Sequence, residues 1–151
     1  MALADPNVRG VVTDATNLAW ARSNPTEPWA RREQGGWIIG NDQTGAVRSV
    51  AVPPGQRAVL PDNPLPTLQP GERVLAHYHT HPTPPEQPIG TRPDGSPINL
   101  APAPGAGDMA FAQHTGVPEI VRSRDHMWVY DPATGGTTQY SVPPEAPPWH
   151  G

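Results

Sequence analysis

The chain has 151 residues, a net charge of −4 and no cysteine. This length suits one domain with its own hydrophobic core, and the lack of thiols excludes disulfides and cysteine-ligated zinc. An acidic balance without a basic run gives nucleic-acid binding no electrostatic support. No apolar stretch reaches the roughly 20 residues of a membrane span, and no signal-peptide core is present. We therefore expect neither nucleic acid nor membrane as a partner, and the localisation stays unknown.

The first predicted element is a helix that Thr13 or Asp14 caps and that continues to about Ala21. Asn24-Pro25 ends it, because the residue before a proline avoids helical backbone. Residues 1–12 carry no strong pattern and are expected to be a flexible N-terminal segment.

A strand is predicted near residues 33–40, where an apolar run lies between glycines. Glu33 stands at its start. This carboxylate can be a solvated partner of Arg31 or Arg32, or it can be a general base if a metal site lies close by. A second strand is predicted near residues 46–52.

The strand near residues 73–81 ends with His79 and His81, and Pro82 stops it. Strand side chains alternate faces, so the two imidazoles share one side, roughly 6.5–7 Å apart along the backbone. Their nitrogens can converge on one zinc ion, which needs bonds of about 2.0–2.1 Å. Catalytic zinc commonly has three protein ligands, so a further histidine or a carboxylate is needed. His77 shares this face, either to orient a ligand imidazole or as a half-buried histidine with a backbone partner.

The helix predicted at residues 108–115 begins with Asp108 and is followed by a glycine. An aspartate in the first turn caps free amides and suits the positive end of the helix dipole. It is also a candidate for the third metal ligand.

Three more strands and the prolines complete the pattern. The strands are predicted near residues 119–123, 127–131 and 137–142, so helices lie against a mixed sheet in an α/β fold. Many of the 23 prolines crowd residues 53–70 and 82–104, on both sides of the histidine strand. They predict long Pro-rich loops around the metal site that frame a substrate cleft. The predicted domain is residues 13–142, and residues 143–151 form a Pro-rich C-terminal tail.

The series Glu33-x-x-Gly36-x-x-x-Gly40, His79-Thr80-His81-Pro82 and Asp108 resembles the JAMM (JAB1/MPN-plus) metalloproteases. The resemblance covers about residues 14–142, since the family continues after its aspartate with a helix and a strand, as this chain does. It implies a mixed sheet of the MPN/JAB type flanked by helices. It also implies Zn²⁺ held by His79, His81 and Asp108, with Glu33 as the catalytic acid/base.

The chain departs from the family pattern near its aspartate. The family has a serine three residues earlier, whose hydroxyl supports the oxyanion, and here that position is Gly105. Ser96, a backbone amide near Gly107, or no group at all takes that role.

The spacing from the histidines to Asp108 is also longer than usual, and Asp94 lies closer in sequence. Asp94-Gly95-Ser96-Pro97 is typical of a turn. The helix and strand that the family places next follow Asp108 instead, so Asp108 is preferred as the ligand.

The resemblance implies a zinc-dependent peptidase or isopeptidase acting on a protein or peptide, with ubiquitin-like proteins among the candidates. One alternative is a metal-binding but catalytically weak MPN-like interaction module, which Gly105 favours. Another is an amidase acting on a small molecule or on the terminus of a carrier protein.

The Glu-x-x-Gly-Trp, His-Thr-His-Pro and Gly-Asp elements are similar to JAB-like domains of bacterial polymorphic toxins. That likeness implies an effector secreted as part of a larger protein, with a cognate immunity protein as a partner. All ten basic residues are arginine, which reflects either a GC-rich genome or avoidance of ubiquitin tagging on lysine.

Overall fold

The computed structural model describes residues 3–25, 32–53, 65–82, 88–91, 93–95, 97–99, 104–124 and 126–141, with the backbone alone for 88–91, 97–99 and 141. These residues contain two helices and eight strands in the following order: α1 (Pro6–Arg22), β1 (Gly35–Asn41), β2 (Val47–Ala51), β3 (Glu72–Thr80), β4 (Pro88–Thr91), β5 (Pro97–Asn99), α2 (Ala106–Thr115), β6 (Glu119–Arg122), β7 (His126–Asp131) and β8 (Gly136–Ser141).

Six strands form one sheet in the order β2-β1-β3-β6-β7-β8. The pair β3–β6 is parallel, and the other neighbours are antiparallel. A parallel pair needs a long crossover connection, and here the crossover contains α2. The predicted α/β fold with a mixed sheet is therefore confirmed.

The sheet lies between the two helices. On one face, Val8 and Val12 of α1 are fully buried in a core that includes Tyr78 of β3. On the other face, Trp37 of β1 packs against Phe111 of α2. Because strand side chains alternate, His77 and His79 of β3 both face the side of the sheet on which α2 lies. Neither helix in the described ranges is long and apolar enough to cross a membrane.

The first helix begins at Pro6, earlier than the predicted start at Thr13 or Asp14. The Asp5 side chain accepts a hydrogen bond from the Asn7 N–H at 2.9 Å, and Pro6 occupies a first-turn position where its missing N–H costs nothing. The prediction of a flexible segment over residues 1–12 is thus wrong for residues 6–12. Val8 and Val12 are buried on the same helix as Ala15 and Ala19.

The Pro-rich segment after β3 is more regular than predicted, because β4 and β5 pair as a small antiparallel hairpin. The turn predicted at Asp94 and Gly95 is confirmed at its tip, where Gly95 has a φ of +87°. Ser96, residues 54–64, 83–87 and 100–103 and the tail at 143–151 lie outside the described residues.

Gly36 is a point of close approach between strands. A Cβ atom there would lie 2.2 Å from the Val50 carbonyl oxygen and 2.7 Å from the Tyr78 hydroxyl. Glycine therefore allows β1 to pack closely against its neighbours, three residues beyond Glu33.

We expect Gly36→Ala to lower the free energy of unfolding by about 1–3 kcal/mol, the usual cost of overpacking. Gly10→Ala is the matched control, because a Cβ at Gly10 of α1 meets nothing within 4 Å. That change should instead stabilise the helix by about 0.5–1 kcal/mol. Urea unfolding of the three proteins measures both effects, and equal midpoints for wild type and Gly36→Ala would contradict the packing argument.

Candidate metal centre

The pairing of β1 with β3 brings Glu33 to the histidine end of β3. Gly35 pairs with His79 in this antiparallel register, and the Thr80 N–H donates to the Gln34 carbonyl at 2.9 Å. The Thr80 hydroxyl in turn accepts the Gln34 N–H at 3.1 Å. These bonds hold the backbone next to Glu33 against the strand end that carries both imidazoles.

Three of the predicted site residues converge on one point. The Nε2 atoms of His79 and His81 lie 3.1 Å apart. The Asp108 carboxylate faces both, with Oδ1 at 3.1 Å from His79 Nε2 and Oδ2 at 3.4 Å from His81 Nε2. The structure thus brings together two imidazoles and one carboxylate that are far apart in sequence.

These distances fit a zinc ion. Ligand atoms that bind a tetrahedral zinc at about 2.0–2.1 Å are separated from one another by about 3.3 Å. The two imidazole nitrogens are 3.1 Å apart, and the two oxygens of Asp108 approach them to 3.1 and 3.4 Å. The donor set of two nitrogens and one oxygen is also one that zinc uses in catalytic sites. His79, His81 and Asp108 are therefore suited to hold the ion.

Asp108 acts as a helix cap as well as facing the imidazoles. It lies in the first turn of α2, where its Oδ2 accepts the Gly105 N–H at 2.9 Å. Burial raises the pKa of the Asp108 carboxyl, but hydrogen bonds with His79 and His81 outweigh this and hold the pKa well below its usual range. The cap and candidate-ligand interpretations are compatible, since the cap fixes the carboxylate where the imidazoles meet it.

Glu33 lies farther from the imidazoles. Its side chain is buried, with 5% exposure, and its Oε1 is 3.8 Å from His79 Nε2. A gap of this size suits a bridging water rather than a direct bond. Burial raises the pKa of Glu33, although the imidazoles of His79 and His81 partly offset this effect. Glu33 also forms a potential ligand group with His79 and His81, but Asp108 approaches His79 more closely.

Glu119, which we did not predict as a site residue, lies behind His79. His77 pairs with Glu119 across the parallel strands, and its Nδ1 donates to the two carboxylate oxygens at 2.8 and 2.9 Å. Glu119 Oε1 also accepts from His79 Nδ1, at 2.5 Å. His77 thus reaches His79 through the Glu119 carboxylate, whereas the prediction was that His77 itself orients a ligand imidazole. The alternative of a half-buried histidine is wrong about burial, because His77 is 2% exposed.

The pKa values reflect this packing of charges. Burial lowers the pKa of His79, but hydrogen bonds with Asp108 and Glu119 outweigh burial and raise it to about 10. Burial likewise raises the pKa of Glu119, but hydrogen bonds from His77 and His79 outweigh burial and lower it. The hydrogen bonds therefore favour the charged forms of His79, Asp108 and Glu119 over their neutral forms.

Gly105 is the N-cap of α2 and has extended backbone. A Cβ atom there would have Asp108 Oδ2 as its nearest neighbour, at 3.9 Å. The position thus has room for the serine side chain that the metalloprotease pattern has three residues before its aspartate.

One comparison with known proteins gives a match. The family model described as prokaryotic homologs of the JAB domain matches residues 19–89. No curated protein and no solved structure matches the chain significantly. The matched range includes Glu33, His79 and His81 and stops before Asp108, so the assignment of Asp108 depends on the distances given above.

Proposed function

We propose that this chain is a zinc-dependent peptidase or isopeptidase of the JAB type, since residues 19–89 match the model of prokaryotic JAB-domain homologs. One observation carries the proposal: His79, His81 and Asp108 meet within 3.1–3.4 Å of one another, and a buried glutamate adjoins them. Hydrogen bonds among His79, His81 and Asp108 would not need Glu33, whose buried Oε1 lies 3.8 Å from His79 Nε2. The proposed ligands are His79, His81 and Asp108, and the proposed acid/base is Glu33.

Glu33 is placed to move the proton that amide hydrolysis requires. Zinc, when bound, supplies a Lewis acid that polarises the scissile carbonyl and makes water more acidic. Glu33 would accept a proton from the attacking water while the oxygen–carbon bond forms. It would then give that proton to the nitrogen as the carbon–nitrogen bond breaks. Its burial excludes competing solvent, which supports this role.

The direct test is hydrolysis by the zinc-loaded chain, measured on a panel of fluorogenic peptides and ubiquitin-like isopeptides. Cleavage should disappear with a chelator and return with zinc. Glu72→Gln is a suitable control variant, since Glu72 pairs with Arg48 at the far end of β3. Cleavage that persists in the chelator would contradict the proposal.

Gly105 favours a second candidate, a metal-binding module with weak or no catalysis. An oxyanion-hole donor typically contributes about 10²–10³ in rate, so a chain without it would be a slow enzyme. If the module interpretation is correct, the chain binds a protein partner in a zinc-dependent and saturable way and hydrolyses nothing.

We expect Gly105→Ser to raise turnover, by up to about 10²–10³ if the new hydroxyl reaches the oxyanion. The open space around this position means that the change should not disturb the fold, and serine is also a good N-cap. Gly105→Ala is the matched control, because it adds the Cβ without the hydroxyl. Equal turnover in the serine and alanine variants would show that another group already stabilises the oxyanion.

We further propose a protein or peptide substrate, a secreted effector role and a cognate immunity protein as partner. The toxin-like elements support this, as does the lack of lysine in a chain that would act on ubiquitin-like proteins. Expression in eukaryotic cells tests the idea: loss of ubiquitin conjugates with wild type but not with Glu33→Gln would support it, and unchanged conjugates with both would contradict it.

A further inference from the structure

We propose that Glu119 is a positioning residue of the metal centre, which holds His79 so that Nε2 is directed to the ion. The inference depends on the proposed zinc site but not on hydrolysis. Glu119 is 1% exposed, and its Oε1 accepts the bond from His79 Nδ1. Since an ionised carboxylate only accepts hydrogen bonds, this contact keeps a proton on Nδ1, so that Nε2, which faces Asp108 and His81, is the nitrogen available to an ion.

Glu119 is itself held by a separate contact. His77 Nδ1 bonds both of its oxygens, and the His77 ring lies 4.7 Å from the rings of Trp37 and Phe111. Phe111 and Asp108 lie on the same helix, α2. The packing of α2 therefore fixes both a metal ligand and the histidine that anchors Glu119.

The same three groups could be taken for a second metal site, since His77, His79 and Glu119 have ligand atoms close together. His77 Nδ1 lies 2.8 and 2.9 Å from the Glu119 oxygens, which are hydrogen-bond distances, and His79 Nδ1 lies closer still. Ligands around a tetrahedral zinc would be separated by about 3.3 Å. The geometry therefore favours a carboxylate that orients a ligand over a second ion.

The experiment compares zinc affinity in wild type, Glu119→Gln and the control Glu72→Gln, by competition with a chromophoric chelator. Carboxylates that orient metal-bound histidines typically contribute about 10–100-fold in affinity. Glu119→Gln keeps the shape but offers an N–H to one imidazole, so we expect a loss of that size, while Glu72→Gln should bind as wild type does. Unchanged affinity in a folded Glu119→Gln overturns the inference and leaves the proposed function intact.

A measurement on the wild type keeps the inference testable even if the variant does not fold. In ¹⁵N NMR spectra of the zinc-loaded protein, His79 should carry its proton on Nδ1 and bind through Nε2. Binding through Nδ1, or two zinc ions per chain, would overturn the inference. Absence of zinc binding in the wild type would overturn it together with the proposed function, whereas zinc binding without hydrolysis would contradict only the enzymatic proposal.

Discussion

Purified wild-type protein should carry close to one zinc ion per chain, and His79→Ala or His81→Ala should carry almost none. A site with three protein ligands loses a large share of its binding energy with one imidazole, and the remaining pair cannot define the geometry that zinc requires. Elemental analysis after dialysis against a weak chelator measures the difference. Circular dichroism should show that each variant is folded, so that the loss reports the site.

Two controls make this result specific. His114→Ala removes an exposed histidine from the last turn of α2, and it should leave the zinc content unchanged. Asp108→Ala should lose zinc, whereas Asp94→Ala should retain it, because Asp94 lies in the β4–β5 turn. The opposite result for the two aspartates would show that the ligand assignment is wrong.

Glu33→Gln should keep its zinc while hydrolysis falls by about 10²–10⁴-fold, the usual contribution of a positioned general base. Glutamine is nearly isosteric with glutamate and removes only the group that accepts the proton. The measurement is kcat/KM on the best substrate of the panel, together with zinc content on the same sample. Loss of zinc in this variant would identify Glu33 as a ligand, as the alternative group of Glu33, His79 and His81 allows.

The sequence predicted those parts of the structure that depend on local spacing. His79 and His81 share a strand face because side chains alternate, and Asp108 was placed at a helix start because a glycine ends a short apolar run after it. The structure has both features, with α2 ending at Gly116 in the left-handed conformation. The assignment of zinc, of its ligands and of Glu33 as the acid/base stays a prediction until measured.

Features that depend on long-range register could not be predicted. Glu119 opens a predicted strand, where a carboxylate usually faces solvent. Its burial follows from the parallel pairing that sets it opposite His77. A crossover from β3 to β6 joins these strands, and nothing in the residues themselves gives its register. The one signal in the sequence is a carboxylate directly before an apolar run, in a chain whose histidine motif also includes His77.

The start of α1 was missed for a local reason. Polar residues at Thr13 and Asp14 resemble a cap, while the true cap, Asp5, precedes a proline and a stretch of valines and a glycine, which are weak helix formers. Val8 and Val12 extend the helix because they are buried against the sheet, and this tertiary contact outweighs the weak local preference.

The position of the bound zinc ion is the most direct test of the proposed ligands. Anomalous diffraction at the zinc edge, from crystals of the zinc-loaded chain, should give one peak per chain in contact with His79 Nε2, His81 Nε2 and Asp108. Glu33 should lie near the peak but outside bonding distance. A peak between His77, His79 and Glu119, or a peak bound by Glu33 in place of Asp108, would contradict the assignment.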